Sequence, residues 1–321
     1  MGSLGFVSRA WLSLLGLAVL LWVTCHAVAL QASVPGPPTR EGRIARDLQL
    51  IRVSERSGVE PLRLGRLWGH LAEEYEDDGQ FEKSEDAYNH ALELLERSPD
   101  TSKEYAVALD NLGSLYIVWH KSDAAERCRG RALKLREATG DPLEIARGKS
   151  LMSEVYLMEH KFKEAERTAA EAFDAMVSLR ETDSEIIATL ITLTFASAMH
   201  GQHAYAVERG REAKSLALSR LPADSLLTGE VRMALGYAEW KAGIAAGPDE
   251  EMREGVRILR KWATPGHPSI TGALTMYANY LRETHRKDEA REVAEEAKAL
   301  TTKPTNGCVN CTVSVYGLRS R

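Results

Sequence analysis

The sequence predicts an all-α solenoid of about six antiparallel helix hairpins, closed at its N-terminal end by a capping helix. Three observations predict it: a landmark residue that recurs every 40–42 positions, apolar stripes at helical spacing inside each repeat, and a composition that favours helix over strand. Ala, Leu, Glu and Arg are plentiful and aromatics make up 7%, while 44% hydrophobic residues suffice for a substantial core.

The landmark is a small residue late in each repeat: Ala91, Ala132, Ala172, Ala213, Gly255 and Ala297, at intervals of 41, 40, 41, 42 and 42 residues. Six segments align around it, beginning at Leu71, Leu112, Met152, Leu193, Leu235 and Tyr277. In the first, Trp68, Leu71, Ala72 and Tyr75 fall at i, i+3, i+4 and i+7, one face of a helix. Pro61 suits the opening turn of that helix, where its missing N–H is not needed. Gly79 breaks the helix, and a second stripe follows at Phe81, Ser84, Ala87, Tyr88, Ala91 and Leu95. Small inner residues let the paired helices approach closely. One pair cannot bury both stripes, whereas stacked pairs can, and stacking makes a superhelix.

Taken in chain order, residues 1–29 read as a signal peptide. Arg9 supplies the positive start, residues 11–23 the apolar run, and Ala27-Val28-Ala29 the small-x-small cleavage pattern. Thirteen apolar and small residues fall short of the roughly 20 needed to span a bilayer. The expectation is cleavage after Ala29 and export to a periplasmic or extracellular compartment. Extending the run to Leu30 gives 20 residues, so an uncleaved membrane anchor is the alternative. Trp22, Val23 and Thr24 make a poor lipobox before Cys25. Residues 30–41, with three prolines, read as an extended linker. Residues 42–58 carry Ile44, Leu48 and Ile51 at helical spacing and read as the capping helix. Residues 59–302 hold the six repeats. The last helix presents Ala290, Val293, Ala294, Ala297 and Leu300 on one face and Glu289, Glu292, Glu295, Glu296 and Lys298 elsewhere, as a terminal solubilising helix requires. Residues 303–321 read as a flexible tail.

The pattern W-x2-L-A-x2-Y at Trp68, Leu71, Ala72 and Tyr75, followed by Ala91 and Leu92, resembles the tetratricopeptide repeat signature. The period near 41 exceeds the usual 34 and resembles the longer kinesin-light-chain-type repeat, as does Gly266-His267-Pro268 as a linker. The resemblance spans residues 59–302. It departs at Ser197, which replaces the first-helix tyrosine, and at Gly247-Pro248-Asp249, which displaces the start of a second helix. It implies a right-handed superhelix whose first helices line a concave groove. Mapped onto this chain, the groove positions are Arg66, Glu73, Asp110, Asn111, Ser114, Arg147, Glu154, Met158, Phe195, Tyr237, Trp240, Asn279 and Arg282. The ends of that set are polar, and its middle brings aromatics and methionine that suit the apolar side chains of a peptide. Asn111 and Arg147 are compatible with the family's carboxylate clamp. Gly69 and Glu73, however, stand where its lysine and first asparagine belong, so that specialisation is not expected.

Other constellations carry less. His120, His160, His200 and His285 recur near the repeat period, but equivalent positions of stacked hairpins are about 8–10 Å apart. Zinc ligands must each lie about 2 Å from one ion. These histidines read as solvent-facing helix ends, and neither metal nor cofactor is expected. Cys308 and Cys311 form a lone C-x-x-C in the tail without the helix that activates such thiols, and read as a local disulfide. No nucleophile elbow, phosphate loop, Rossmann fingerprint or H-E-x-x-H occurs, so no enzyme is expected. A net charge of −5 and a pI near 6.0 give no cationic footprint for nucleic acid. Nothing points to a small-molecule substrate, and a membrane enters only if the N-terminal segment is uncleaved. The expected function is a non-enzymatic scaffold or adaptor holding a peptide or helix in its concave groove. The rivals are a thiol-redox or metal-binding protein using Cys308 and Cys311, and a structural oligomerising subunit of an envelope complex.

Overall fold

The structure, a computed structural model, describes residues 39–97, 102–262 and 268–302. The expected signal peptide, linker residues 30–38, the Gly266-His267 pair, and the tail with Cys308 and Cys311 lie outside the described residues. The chain divides into two compact units, Met1–Ala45 and Arg46–Arg321, and the described part of the first is the run from Thr39 into the opening of one helix.

Thirteen α-helices and no strand occur among the described residues. They are α1 (Arg40–Arg56), α2 (Pro61–Asp77), α3 (Phe81–Glu96), α4 (Ser102–Val118), α5 (Ser122–Thr139), α6 (Pro142–Met158) and α7 (Phe162–Ser178), then α8 (Asp183–Met199), α9 (His203–Arg220), α10 (Leu226–Lys241), α11 (Pro248–Trp262), α12 (Pro268–Glu283) and α13 (Lys287–Thr302). Residues 42–58, expected to cap the array, lie largely in α1, where Asp47, Ile51 and Ser54 are buried and Leu50 and Val53 are exposed. From α2 onward the helices pair in order into six hairpins, and each hairpin packs on the next. This is the predicted all-α solenoid.

The start and stop signals are local. Pro61 and Pro142 occupy the first turns of α2 and α6, where no N–H is required. The Asp141 carboxylate accepts from the N–H groups of Leu143 (2.9 Å) and Glu144 (3.4 Å), and the Ser225 hydroxyl caps α10 by accepting from Thr228 N at 3.2 Å.

Each hairpin turns on one left-handed residue: Gly79, His120, His160, Gly201, Gly243 and His285, with φ between 57° and 87°. At every one the same two backbone bonds close the first helix. At His120 they run from its own N–H to Ile117 O and from Lys121 N–H to Tyr116 O, at 3.1 and 2.8 Å. The carbonyls that a helix end would leave bare are satisfied in this way. The periodic histidines therefore have a backbone cause, with one correction. His200 is out of register with the other three, because Gly201 takes the left-handed position and His200 ends its helix with ordinary φ.

The landmark residues mark the closest approach within each pair. Ala91, Ala132 and Ala172 are fully buried, and Ala213 and Ala297 nearly so. At Gly255 even alanine is too large, since an added Cβ would come within 2.9 Å of the Met233 side chain and 3.0 Å of Gly229 O. The fifth hairpin is thus closely packed at this point. It also has the longest turn, residues 242–247, which carries the Gly247-Pro248 departure seen in the sequence. No hairpin owns a core. The apolar cluster around Tyr88, Leu115 and Val155 runs through three hairpins, and that around Met233, Met252 and Leu274 runs through three more. Ser197, standing where earlier units have Tyr75, Tyr116 and Tyr156, is fully buried in this packing.

Candidate functional site

The turn register superposes the six first helices. The sixth residue before each left-handed position is Glu73, Ser114, Glu154, Phe195, Tyr237 and Asn279, and the thirteenth is Arg66, Val107, Arg147, Ala188, Glu230 and Gly272. Seven residues are two helical turns, so both rows share one face. The face changes character along the stack: four of its six residues in the first three hairpins are charged, whereas in the last three Phe195, Tyr237 and Ala188 stand beside Glu230, Asn279 and Gly272.

In the early hairpins, charged members of this face tie one hairpin to the next. Arg129 on α5, 2% exposed, donates to Leu151 O (2.6 Å), Glu154 Oε2 (2.7 Å) and Ser114 Oγ (3.1 Å). Arg136 donates to Asp110 (2.5 Å) and Glu144 (3.3 Å). Arg147 donates to Glu144 (2.8 Å), Glu181 (2.5 Å) and Glu185 (2.8 Å). Of the sequence-derived groove set, Asp110, Ser114, Arg147 and Glu154 belong to this network. Arg66 pairs with Glu104 at 2.6 Å, and Asn111 donates to Glu73 at 3.2 Å. Met158 is half-buried at the end of α6.

In the late hairpins, an aromatic run follows the same face. Ring centroids lie 5.6 Å apart for Phe195–Tyr237, 5.7 Å for Tyr237–Trp240 and 5.8 Å for Trp240–Tyr280. The last two contacts are edge-to-face and the first is tilted, arrangements that favour fixed ring positions. Lys241 places its ammonium 3.9 Å from the Trp240 centroid and 5.6 Å from that of Tyr237, holding a cation against the aromatic surface.

Part of this run lines a cavity of about 840 Å³. Tyr237, Trp240 and Lys241 contribute from the fifth hairpin, and Met276, Asn279, Arg282 and Leu300 from the sixth. Phe81, Val118 and His120 face them from the first and second hairpins. Four of the thirteen sequence-derived residues, Tyr237, Trp240, Asn279 and Arg282, meet here, while Phe195 packs behind Tyr237. Sequence reasoning missed the opposite wall. Phe81 lies on a second helix, Val118 at the end of a first helix and His120 in a turn, and only the return of the superhelix brings them to α10 and α12.

Two carboxyls on this face are held far from their ordinary range. Burial raises Glu73 to about 7, with Asp77 and Glu74 adding to the rise and His70 opposing it. Burial likewise raises Glu230 to about 7, against the Ser269 hydroxyl, which donates to it at 2.7 Å, and with the Glu154 charge adding to the rise.

A superhelical array of helix hairpins with an aromatic-lined interior defines a class of repeat protein. Residues 63–138 of this array match the tetratricopeptide repeat family model. Among solved structures it is similar to the apo form of RapI (14% identity, TM-score 0.66), covering 80% of this chain and 70% of that one. It is also similar to a Rap protein complexed with competence and sporulation factor (14% identity, TM-score 0.54; 81% and 78% covered). A third similar structure holds the nearly identical tetratricopeptide-like repeats of a putative kinesin light chain from Podosopora anserina (15% identity, TM-score 0.51; 63% and 97% covered). At these identities the likeness concerns the fold. None of the curated proteins compared with the chain matches it in sequence.

Proposed function

We propose that this chain is a non-enzymatic scaffold that holds an extended peptide or a helix of a protein partner in its concave groove, with the aromatic cavity as the anchoring point. The observation that carries this reading is the cavity itself. A space of about 840 Å³ lies between the early and late hairpins and is floored by Tyr237, Trp240 and Met276. That volume accommodates several apolar side chains, and aromatic rings offer rigid contact area at little conformational cost. The Rap protein complexed with competence and sporulation factor supports the reading by precedent of fold. The apolar N-terminal run supports an extracytoplasmic location, and no described helix is long and apolar enough to cross a membrane. The test replaces Tyr237 and Trp240 together by alanine and compares partners recovered from the cell envelope, with circular dichroism as a check on folding. Recovery should fall at least tenfold. Undiminished recovery by a folded variant would exclude the cavity as the anchor.

A further inference from the structure

The register that aligns the groove also exposes one position where the first hairpin differs from the rest. The fifth residue before each left-handed turn is Leu115, Val155, Ala196, Ala238 and Tyr280 in the later hairpins, all buried and apolar against the preceding helices. In the first hairpin it is Glu74, also buried, at 9% exposure. One turn earlier on the same face of α2 stands His70, and across from them on α1 stands Asp47, 6% exposed. His70 Nδ1 lies 2.8 Å from Asp47 Oδ2, and one donor atom from each of the three side chains falls within 4.8 Å of the others.

We propose that Asp47, His70 and Glu74 form a binding site for a divalent transition metal of the zinc class, which clamps α1 onto the first hairpin. An i, i+4 pair on one helix with a third ligand from its neighbour is a geometry that brings three donors to one ion. One imidazole and two carboxylates suit zinc, whereas magnesium and calcium favour oxygen ligands alone. Ligand atoms around a tetrahedral ion at about 2.0–2.2 Å sit roughly 3.4 Å apart. The present separations, up to 4.8 Å, bracket that value. A bound dication would offset the negative charge of the two buried carboxylates, Asp47 and Glu74. The location fits the consequence: α1 has no partner hairpin of its own, and the terminal element of a stack is the one most prone to fray.

The test is zinc titration of the chelator-treated full chain by calorimetry, with thermal melting alongside. Cysteines at 308 and 311 could also take zinc, so Cys308→Ser/Cys311→Ser is titrated in parallel. One equivalent should bind to both proteins and raise the melting temperature by several degrees, while magnesium gives no shift. His70→Ala and Asp47→Asn should each weaken binding roughly 100-fold or more. His70 is exposed, so its alanine variant should keep the metal-free melting temperature, and His70→Gln provides a second test if it does not. Zinc binding that survives His70→Ala, that disappears with Cys308→Ser/Cys311→Ser, or that is absent from the wild type would overturn the proposal.

Discussion

Exchanging the residues of the hairpin turns tests the register on which the groove assignment rests. Six equivalent positions hold left-handed backbone, three filled by glycine and three by histidine. An L-residue there costs roughly 1–2 kcal/mol, and histidine, which tolerates the region better than most, falls toward the lower value. Glycine escapes that cost but gives up roughly 0.5–1 kcal/mol through its freer unfolded chain. His285→Gly should therefore stabilise the array by about 0.5 kcal/mol. Gly201→Ala and Gly243→Ala should each destabilise it by about 1 kcal/mol. Neither glycine has an atom within 4 Å of an added Cβ, so the loss is backbone strain free of steric contact. His160 is a less clean site, because its ring packs edge-on to Phe162 at 5.5 Å. The readout is the midpoint of thermal and urea unfolding, since a repeat array need not unfold in one step. At roughly 2–4 °C per kcal/mol, the melting temperature should rise by about 1–2 °C for His285→Gly and fall by about 3 °C for each alanine. A fall for His285→Gly, or no change for both glycine variants, would show that turn conformation does not govern hairpin stability.

Three further outcomes follow from the interior. Arg129→Ala strands Glu154, Ser114 and Leu151 O and should cost about 3 kcal/mol, with urea unfolding showing whether the loss is confined to the second and third hairpins. Glu73 has its pKa raised from 4.5 to about 7, so its folded form holds the proton more tightly than the unfolded chain does. Its contribution is present in full below pH 4.5 and is lost as pH rises through 7. Glu73→Gln should remove that dependence and, allowing for partial exposure, gain about 1–2 kcal/mol at pH 8 but almost nothing at pH 4.5, as read from urea midpoints at the two pH values. Gly255→Ala should destabilise the fifth hairpin by about 1–3 kcal/mol through overpacking against Met233, measurable as a lowered melting temperature.

Much of the fold was legible because its signals are local and repeated. The spacing of Trp68, Leu71, Ala72 and Tyr75 defines a helix face without reference to any other element, and the spacing of Ala91, Ala132 and Ala172 defines the period. The cavity wall was legible only as a helix face. Phe195, Tyr237 and Asn279 share a row with Ser114 and Glu154, and position within the repeat does not distinguish a ring in the aromatic run from a residue bound into a buried ion pair. That difference depends on Arg129 and Arg136, whose side chains reach from α5 to its partner α4 and to α6 of the next hairpin. In sequence they look like the ordinary charged face of a helix.

What the sequence alone determined was the hairpin, its period and the order of the units, because helix faces, caps and turns are written within about 40 residues. Tertiary structure decided which hairpins meet across the superhelix. Phe81 and Trp240, 159 positions apart, line one cavity through small rotations accumulated over successive hairpins. Each rotation is set by how closely two helices pack, as at Gly255 against Gly229, and no local pattern in the chain records their sum.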